Sequence, residues 1–292
     1  MDAMLVVDKP QGLTSHDVVA AARRALGDSR IGHTGTLDPL ATGVLPLAIG
    51  RATRLVRFLT ASDKEYSATI RFGMTTDSYD ITGTETGRTD AVPSQDAILD
   101  AVRRLTGDYL QVPPAFSAKK VDGRRAYQLA RQDRPVTLTP VPVRVSRAEV
   151  IAVRGASAVV TLTCSAGFYV RSFAHALGEL TGAGACLEAL RRTRSGEFGL
   201  DLALPIDALA DPALVRGRLI PLDRVLRGFP SVTITDRGRG YVSHGRELGP
   251  DDVSGTVEAA EWIRLLDGAG ALVALATPGR APGSLHPSVV LI

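Results

Sequence analysis

The chain has few cysteines and few aromatic residues, and it lacks any long hydrophobic run. Two cysteines, Cys164 and Cys186, exclude a cysteine-rich zinc site and a disulfide framework. Both lie in apolar surroundings, which predicts small core residues. Asp8 and Lys9 interrupt the N-terminus before a signal-peptide core can form, and no apolar run has the length of a membrane span. These absences predict a cytoplasmic protein.

Lysine is also scarce, because thirty of the 34 basic residues are arginine. The net charge is +3 and the pI is about 9.0, so an anionic partner is compatible with the composition. Arginine binds phosphate through two parallel hydrogen bonds and stacks on bases, whereas lysine does neither. The arginine excess is equally typical of a GC-rich genome. The remaining composition, 45% apolar and 22% charged, is that of an ordinary globular protein.

Several motifs of cofactor-dependent and hydrolytic enzymes are missing. The sequence has no phosphate-binding P-loop, no dinucleotide-binding G-x-G-x-x-G, no H-E-x-x-H and no G-x-S-x-G. Its five histidines are scattered, with no pair at metal-ligand spacing on one helix. We therefore expect chemistry that needs no cofactor and no metal.

The periodicity of apolar residues indicates strands and helices in irregular alternation. It predicts strands over residues 64–72, 141–150 and 158–164, and helices over residues 15–26 and 169–180. Hairpins among these elements favour an α+β fold, a mixed and largely antiparallel sheet with packed helices, over a doubly wound parallel fold.

The character of the chain changes around Gly228. Residues 229–292 carry more acidic than basic side chains, whereas residues 1–228 have an excess of basic ones. Short apolar stretches between glycine and proline turns predict a small β-rich C-terminal domain after a basic main domain of residues 1–228.

The densest local signal is the segment Gly32–Gly43, with three glycines, one proline and Asp38 directly before Pro39. Glycine lets a backbone approach a ligand closely, and the proline biases Asp38 toward an extended conformation. Asp38 is thus a candidate functional carboxylate on a shaped loop, and a plain Asp-Pro turn is the alternative.

Other candidate residues have structural alternatives when each is taken alone. Arg171, where a strand gives way to a helix, can reach back toward a carboxylate and hold it ionised, or it is a surface arginine. Tyr66, Tyr169 and Leu190 are interpreted as core residues. Residues 113–127 mix basic and aromatic side chains, which suits phosphate contact with base stacking or a solvated loop.

These motifs together resemble the TruB family of bacterial tRNA pseudouridine-55 synthases. The matching segments lie in family order over residues 5–198, so the resemblance covers most of the main domain. They comprise Leu5–Pro10, Gly12–His16, Gly32–Gly43, Lys64–Tyr66, Pro113–Tyr127, Gly167–Arg171 and Leu190–Thr193, with Gly196 and Phe198.

The resemblance implies a pseudouridine synthase catalytic fold with an RNA-contacting insert at about residues 113–135 and a PUA-like domain at residues 229–292. It implies isomerisation of the T-loop uridine at position 55 of tRNA without a cofactor, after the base flips out of the loop. Asp38 matches the catalytic aspartate, Arg171 its arginine partner, and Tyr66 the tyrosine that stacks on the base and assists in removing the C5 proton. The remaining matches are to residues that contact the substrate: His33 near the gap left by the flipped base, and Tyr169 and Leu190 in the uridine pocket.

The resemblance further implies that the enzyme binds the T-arm of tRNA as a monomer, without a membrane, protein or guide-RNA partner. Three positions depart from the family pattern: Phe168, Ala176 and the segment 131–134. Two rival hypotheses stay open, a non-catalytic RNA-binding or tRNA-folding protein on the same scaffold and a guide-RNA-dependent isomerase. Whether Asp38 adds covalently or removes a sugar proton is also left open by the sequence.

Overall fold

The computed structural model describes residues 1–27, 30–117, 119–121, 124–125, 138–255 and 259–292. Most of the predicted RNA-contacting insert, including the departing segment 131–134, lies outside the described residues.

Six α-helices are found in the described residues: α1 Ser15–Leu26, α2 Val56–Thr60, α3 Gln95–Arg104, α4 Val170–Thr181, α5 Pro212–Gly217 and α6 Asp236–Ser243. The strands of the main part are β1 Ala3–Lys9, β2 Ile31–His33, β3 Thr42–Ile49, β4 Lys64–Phe72, β5 Met74–Thr76, β6 Glu85–Arg88, β7 Gly107–Gln111, β8 Lys120–Val121, β9 Arg124–Arg125, β10 Val141–Arg154, β11 Ser157–Cys164, β12 Ala185–Ser195, β13 Phe198–Gly199, β14 Leu204–Pro205 and β15 Ile220–Pro221. The C-terminal strands are β16 Ser231–Ile234, β17 Val253–Ser254, β18 Ile263–Leu266, β19 Leu272–Pro278 and β20 Leu285–Val290.

An eleven-stranded sheet organises the main part of the molecule in the order β14-β1-β3-β12-β4-β11-β10-β7, with β2, β13 and β15 paired alongside. The β1/β14 and β3/β12 pairs are parallel and the other pairs are antiparallel. The expected mixed, largely antiparallel sheet with packed helices is therefore confirmed, and a doubly wound parallel fold is excluded.

Local signals explain why α1 begins and ends where the sequence predicts. Thr14 caps the helix, its hydroxyl accepting from the Asp17 amide while the Asp17 carboxylate accepts from the Thr14 amide. Gly27 ends it in the left-handed conformation, with φ of 64°, which glycine adopts without a steric penalty. This helix presents Ser15 and Val18 to the interior.

Two hydrophobic cores meet at the middle of the sheet. One core packs α3 and α4 on β4, β10 and β11, and the other packs α1 on β1 and β3. Tyr66 and Leu190 contact both cores. The loop after β2 also spans them, since Leu37 and Ala41 belong to one core and Leu40 to the other. Polar groups on this loop are thus held at a seam between two packed layers.

The C-terminal strands form a five-stranded sheet in the order β17-β16-β18-β19-β20, with its own apolar core. The expected small β-rich domain is confirmed, but it also holds a helix, α6, that the sequence analysis did not predict. Thr235 caps that helix through the Gly238 amide, a signal overlooked because the two glycines of the helix are typical of turns. None of the described helices is long and apolar enough to span a membrane.

Candidate active site

The backbone of residues 34–41, named here the Asp38 loop, is held from several sides. The Ser15 hydroxyl accepts from the Leu37 amide at 2.8 Å and donates to the Leu37 carbonyl at 3.0 Å. The Gly12 amide donates to the Pro39 carbonyl at 2.8 Å, and the Thr60 hydroxyl donates to the Thr34 carbonyl at 2.9 Å. These bonds come from distant elements and fix the loop before any substrate binds. The whole segment Gly32–Gly43 was expected to form a shaped loop. Its two ends are instead strand, because residues 31–33 lie in β2 and residues 42–43 lie in β3.

Asp38 and Arg171 form an ion pair, with 2.9 Å between Asp38 Oδ2 and Arg171 Nη2. The Asp38 side chain is 46% exposed, whereas the Arg171 side chain is only 9% exposed. Arg171 also donates to the carbonyls of Ser78 at 3.2 Å and Phe116 at 3.0 Å. A buried guanidinium, itself held by two main-chain carbonyls, therefore orients a carboxylate that remains open to a ligand.

A second carboxylate, Asp80, lies behind Arg171, with 3.7 Å between Asp80 Oδ2 and Arg171 Nη1. It is buried, and its Oδ1 accepts from the Ser78 hydroxyl and from the amide and hydroxyl of Thr82. Asp80 was not predicted from the sequence. Its Asp-Ile-Thr-Gly context is typical of an Asx turn, and nothing local indicates the contact with Arg171.

Tyr79 lies between Ser78 and Asp80, which both contact Arg171, and it has a positive φ of 64°. A side chain other than glycine is strained in this region, so another contact must hold it there. Its ring stacks on that of His175 from α4, with 3.9 Å between the centroids and 6° between the planes. The stack fixes the turn that presents the Ser78 carbonyl and Asp80 to Arg171.

Tyr66 lies on β4 directly opposite Arg192 of β12. Burial raises the pKa of the Tyr66 phenol, and the nearby Arg192 guanidinium acts in the opposite direction through its charge and a hydrogen-bonding contact. Asp38 is also close enough to influence this pKa. The structure thus brings Tyr66 and Asp38 into one site, which neither residue's sequence neighbourhood indicates.

Tyr169 lies at the N-terminal end of α4, beside Arg171. Gln111 holds its backbone through both amide atoms, accepting from the Tyr169 amide at 2.8 Å and donating to the Tyr169 carbonyl at 3.1 Å. Burial raises the pKa of its phenol, and Arg171 and Asp38 both influence it. Phe168, one of the departing positions, packs on Phe173 with 6.1 Å between the ring centroids.

Leu190 and His33 occupy the borders of the site. Leu190 packs against both cores beside Tyr66, and its carbonyl accepts from the Thr42 hydroxyl at 3.3 Å. His33 ends β2 directly before the Asp38 loop, and its ring meets that of His16 edge-on at 5.7 Å. Burial, together with the charges of His16 and Arg192, lowers the pKa of His33. The folded structure therefore favours the uncharged form of the His33 imidazole.

Two further buried cations were not predicted from the sequence. Lys9 is inaccessible to solvent and donates to the carbonyls of Pro10 and Leu13 at 2.9 and 2.7 Å. Burial lowers its pKa to about 8, while the charge of Asp38 opposes this shift. Arg192 is 1% exposed and binds main-chain carbonyls of the Asp38 loop. Interior positions for lysine and arginine depend on tertiary packing, so periodicity alone does not reveal them.

The arrangement can orient a carboxylate close to a tyrosine, at a seam between two apolar cores and near the buried cations Lys9, Arg171 and Arg192. No group of three or more histidine, cysteine or acidic side chains suited to a metal is found in the described part of the chain. Cys164 and Cys186 are free and buried, as predicted.

Comparisons with known proteins show what this chain is similar to. The profile of the TruB family pseudouridylate synthase N-terminal domain matches residues 23–170. The tRNA pseudouridine synthase B of Solibacter usitatus (strain Ellin6076) is 41% identical over the whole length of both chains. That of Mycobacterium ulcerans (strain Agy99) is 43% identical over 99% of this chain and 94% of its own.

A similar fold occurs in the solved structure of an H/ACA ribonucleoprotein bound to a substrate RNA containing 2'-deoxyuridine. The match has a TM-score of 0.75 and 24% sequence identity, and it covers 99% of this chain and 85% of that one. Given the profile match and full-length relatives above 40% identity, this chain belongs to the TruB family of pseudouridylate synthases.

Proposed function

We propose that this enzyme converts the T-loop uridine at position 55 of tRNA into pseudouridine, with Asp38 as the essential carboxylate. The observation that carries the proposal is the Asp38–Arg171 ion pair, in which a buried guanidinium presents a half-exposed carboxylate. The full-length relatives named tRNA pseudouridine synthase B support tRNA as the substrate. A tRNA substrate would place the enzyme in the cytoplasm.

The reaction is an isomerisation whose atoms balance without a redox cofactor. The bond from N1 of uracil to C1′ of ribose breaks, a bond from C5 to C1′ forms, a proton leaves C5 and a proton joins N1. Asp38 acts at the sugar, either by attacking C1′ or by taking a sugar proton, and both routes require its ionised form. Arg171 holds the carboxylate in place through the ion pair.

The other candidate residues surround the position that a uracil ring would occupy. Tyr66 stacks on the ring and accepts the C5 proton, while Tyr169 and Leu190 line the pocket. His33 lies next to the gap that the extruded nucleotide leaves in the RNA. The apolar seam between the two cores supports this assignment, since a dry pocket strengthens the electrostatic contacts of the carboxylate.

We further propose that residues 1–228 form the catalytic domain and residues 229–292 a PUA-like domain. The separate sheet that begins with β16 supports this division. The expected insert at about residues 113–135 is proposed to contact the T-arm, in keeping with its basic and aromatic composition.

The first experiment measures tritium release from C5-tritiated uridine in an unmodified tRNA transcript, with wild type and Asp38→Asn side by side. We expect release by wild type on bare tRNA with no cofactor added, and none by Asp38→Asn, which should still bind the transcript.

Other outcomes of this experiment separate the rival hypotheses. Tight binding without release by either protein favours a non-catalytic RNA-binding function. Release only after addition of a guide RNA favours the guide-dependent isomerase. Retained release by Asp38→Asn would contradict the assignment of the carboxylate.

A further inference from the structure

Arg192 is a buried cation that no carboxylate of the described residues neutralises. It is 1% exposed, and its three described hydrogen bonds all go to main-chain carbonyls. Burial of a charge without an ionic partner is costly. Its neighbour Arg191, in contrast, forms a two-bond ion pair with Asp8 at 2.7 and 3.0 Å on the part-exposed side of the strand. Stability alone therefore gives little reason for a charged group at position 192.

The carbonyls that bind Arg192 lie on both sides of Asp38. Nη2 donates to Gly35 at 3.1 Å and Nη1 to Thr36 at 3.5 Å, before Asp38, and Nε donates to Val44 at 2.8 Å, after it. Gly43 allows the main chain of β12 to approach β3 at Arg192, because a Cβ atom at position 43 would lie 2.2 Å from the Arg192 carbonyl oxygen. The guanidinium is thus fixed relative to the Asp38 loop.

The same guanidinium faces Tyr66. The two residues are direct partners in the antiparallel β4/β12 pairing, so their side chains project from the same face of the sheet. Among the described residues no carboxylate forms an ion pair with Arg192, so its charge is free to act on the phenol of Tyr66. Burial raises the pKa of Tyr66, and the Arg192 charge partly offsets this effect.

We propose that Arg192 is a positioning residue for removal of the C5 proton, holding the Tyr66 oxygen in register with Asp38 and stabilising the negative charge that develops on it during proton transfer. This inference rests on the proposed function, because it assigns one step of the same reaction. In that step the Tyr66 phenol gives its proton through water to N1, where the former N1–C6 double-bond pair accepts it. The Tyr66 oxygen takes the C5 proton in exchange, and the electron pair of the C–H bond forms the C5–C6 double bond, so the phenol is regenerated.

The test compares Arg192→Lys and Arg192→Met with wild type on tRNA that carries C5-protiated or C5-deuterated uridine. Arg191→Met is the matched control, since it removes a neighbouring arginine that does not face Tyr66. We expect pseudouridine formation on the C5-protiated tRNA to fall on the order of tenfold to a hundredfold in the Arg192 variants. The deuterium isotope effect on turnover should rise above the wild-type value because proton removal becomes slower, and Arg191→Met should keep the wild-type isotope effect.

The isotope effect reports only on molecules that turn over, so partial unfolding of a variant does not change it. A second substrate separates the steps further. With 5-fluorouridine in place of the target uridine, the ribose can move to C5 but no proton is there to remove. The ratio of tritium release to rearrangement of the fluorinated base should therefore fall in Arg192→Lys.

Equal losses in both reactions, together with an unchanged isotope effect, would overturn the proposal and leave Arg192 as a brace of the Asp38 loop. Failure of the proposed function is distinguishable from this result, because in that case wild type itself releases no tritium from tRNA.

Discussion

At the scale of single residues, the site depends on side chains that hold more than one partner. Arg171 contacts two carboxylates and two carbonyls, and Arg192 contacts three carbonyls and faces Tyr66. Arginine suits such roles because its planar group offers five donors in a fixed geometry. Substitution of one such residue should therefore affect catalysis more than RNA affinity.

For Arg171→Ala we expect turnover to fall by about a hundredfold or more, because Asp38 loses its orienting charge. The affinity for tRNA should change by much less, since Arg171 is buried. Tritium release and a binding titration on the same protein check this prediction. Arg171→Lys is the control, as it keeps the charge but cannot span Asp38 and Asp80. Equal losses in turnover and affinity would argue against an orienting role.

The lowered pKa of Lys9 predicts a pH-dependent contribution to stability. The charged form is disfavoured in the folded state, where its pKa is about 8, relative to the unfolded value near 10.5. Between these values the unfolded state binds the additional proton, so this contribution to the free energy of unfolding increases with pH and is smallest below about 8. Urea unfolding should show that the advantage of wild type over Lys9→Met grows from about pH 7 to about pH 9.5. Cysteine and tyrosine titrations cancel in this comparison, and a constant difference would contradict the lowered pKa.

At the scale of elements, helix α1 serves the site by holding the Asp38 loop as well as by packing. Ser15 is 1% exposed and provides both a donor and an acceptor to Leu37. Thr14, one residue earlier, caps the same helix but has no such bond to the loop. The two hydroxyls at the start of α1 therefore have separable functions.

Ser15→Ala should cost about 1–3 kcal/mol of stability, since it leaves two buried main-chain groups of Leu37 without a partner. Thr14→Ala should cost about 1 kcal/mol through loss of the cap. We expect only Ser15→Ala to lower the turnover of the remaining folded protein, because only this change releases the Asp38 loop. Thermal unfolding and tritium release at a temperature where both variants are folded provide the comparison. A matching loss of turnover in Thr14→Ala would show that general destabilisation is the cause.

At the scale of the whole molecule, the main sheet and the C-terminal sheet share an apolar cluster. It joins Met4 and Leu55 to Leu275, Val289 and Leu291. Rings also meet across the boundary, with 4.7 Å between the centroids of Phe58 and Trp262 and 6.0 Å between those of Phe58 and Phe229. The Arg57 guanidinium covers the Phe58 and Trp262 rings at 4.6 and 5.1 Å. Packing of the C-terminal sheet therefore contributes to the stability of the main sheet.

A chain that ends at residue 228 should be less stable than the full chain and prone to aggregation, since truncation exposes one side of this cluster. Soluble yield and the midpoint of thermal unfolding test this expectation. Trp262→Ala in the full chain is the milder companion variant, and it should lower the midpoint without aggregation. A truncated protein with the full-length midpoint would show that the two domains are energetically independent.

Much of the architecture and part of the site can be predicted from local sequence signals. The limits of α1 follow from Thr14 and Gly27, and alternation along residues 64–72 predicts β4 with its inward face, because periodicity and caps depend on neighbouring residues. The motifs that resemble the TruB family also direct attention to Asp38 and Arg171 in advance.

Only the tertiary structure decided which of these side chains meet. Distant segments of the chain converge on one seam, and three features of the site depend on this. They are the contact of Asp80 with Arg171, the pairing of Arg192 opposite Tyr66, and the burial of Lys9. No local pattern encodes such contacts, because the register between strands far apart in the chain and the packing of α4 over them determine the distances. The sequence by itself thus determined many of the elements and several of the chemically competent residues. The packing of two cores against one sheet determined how those residues work together.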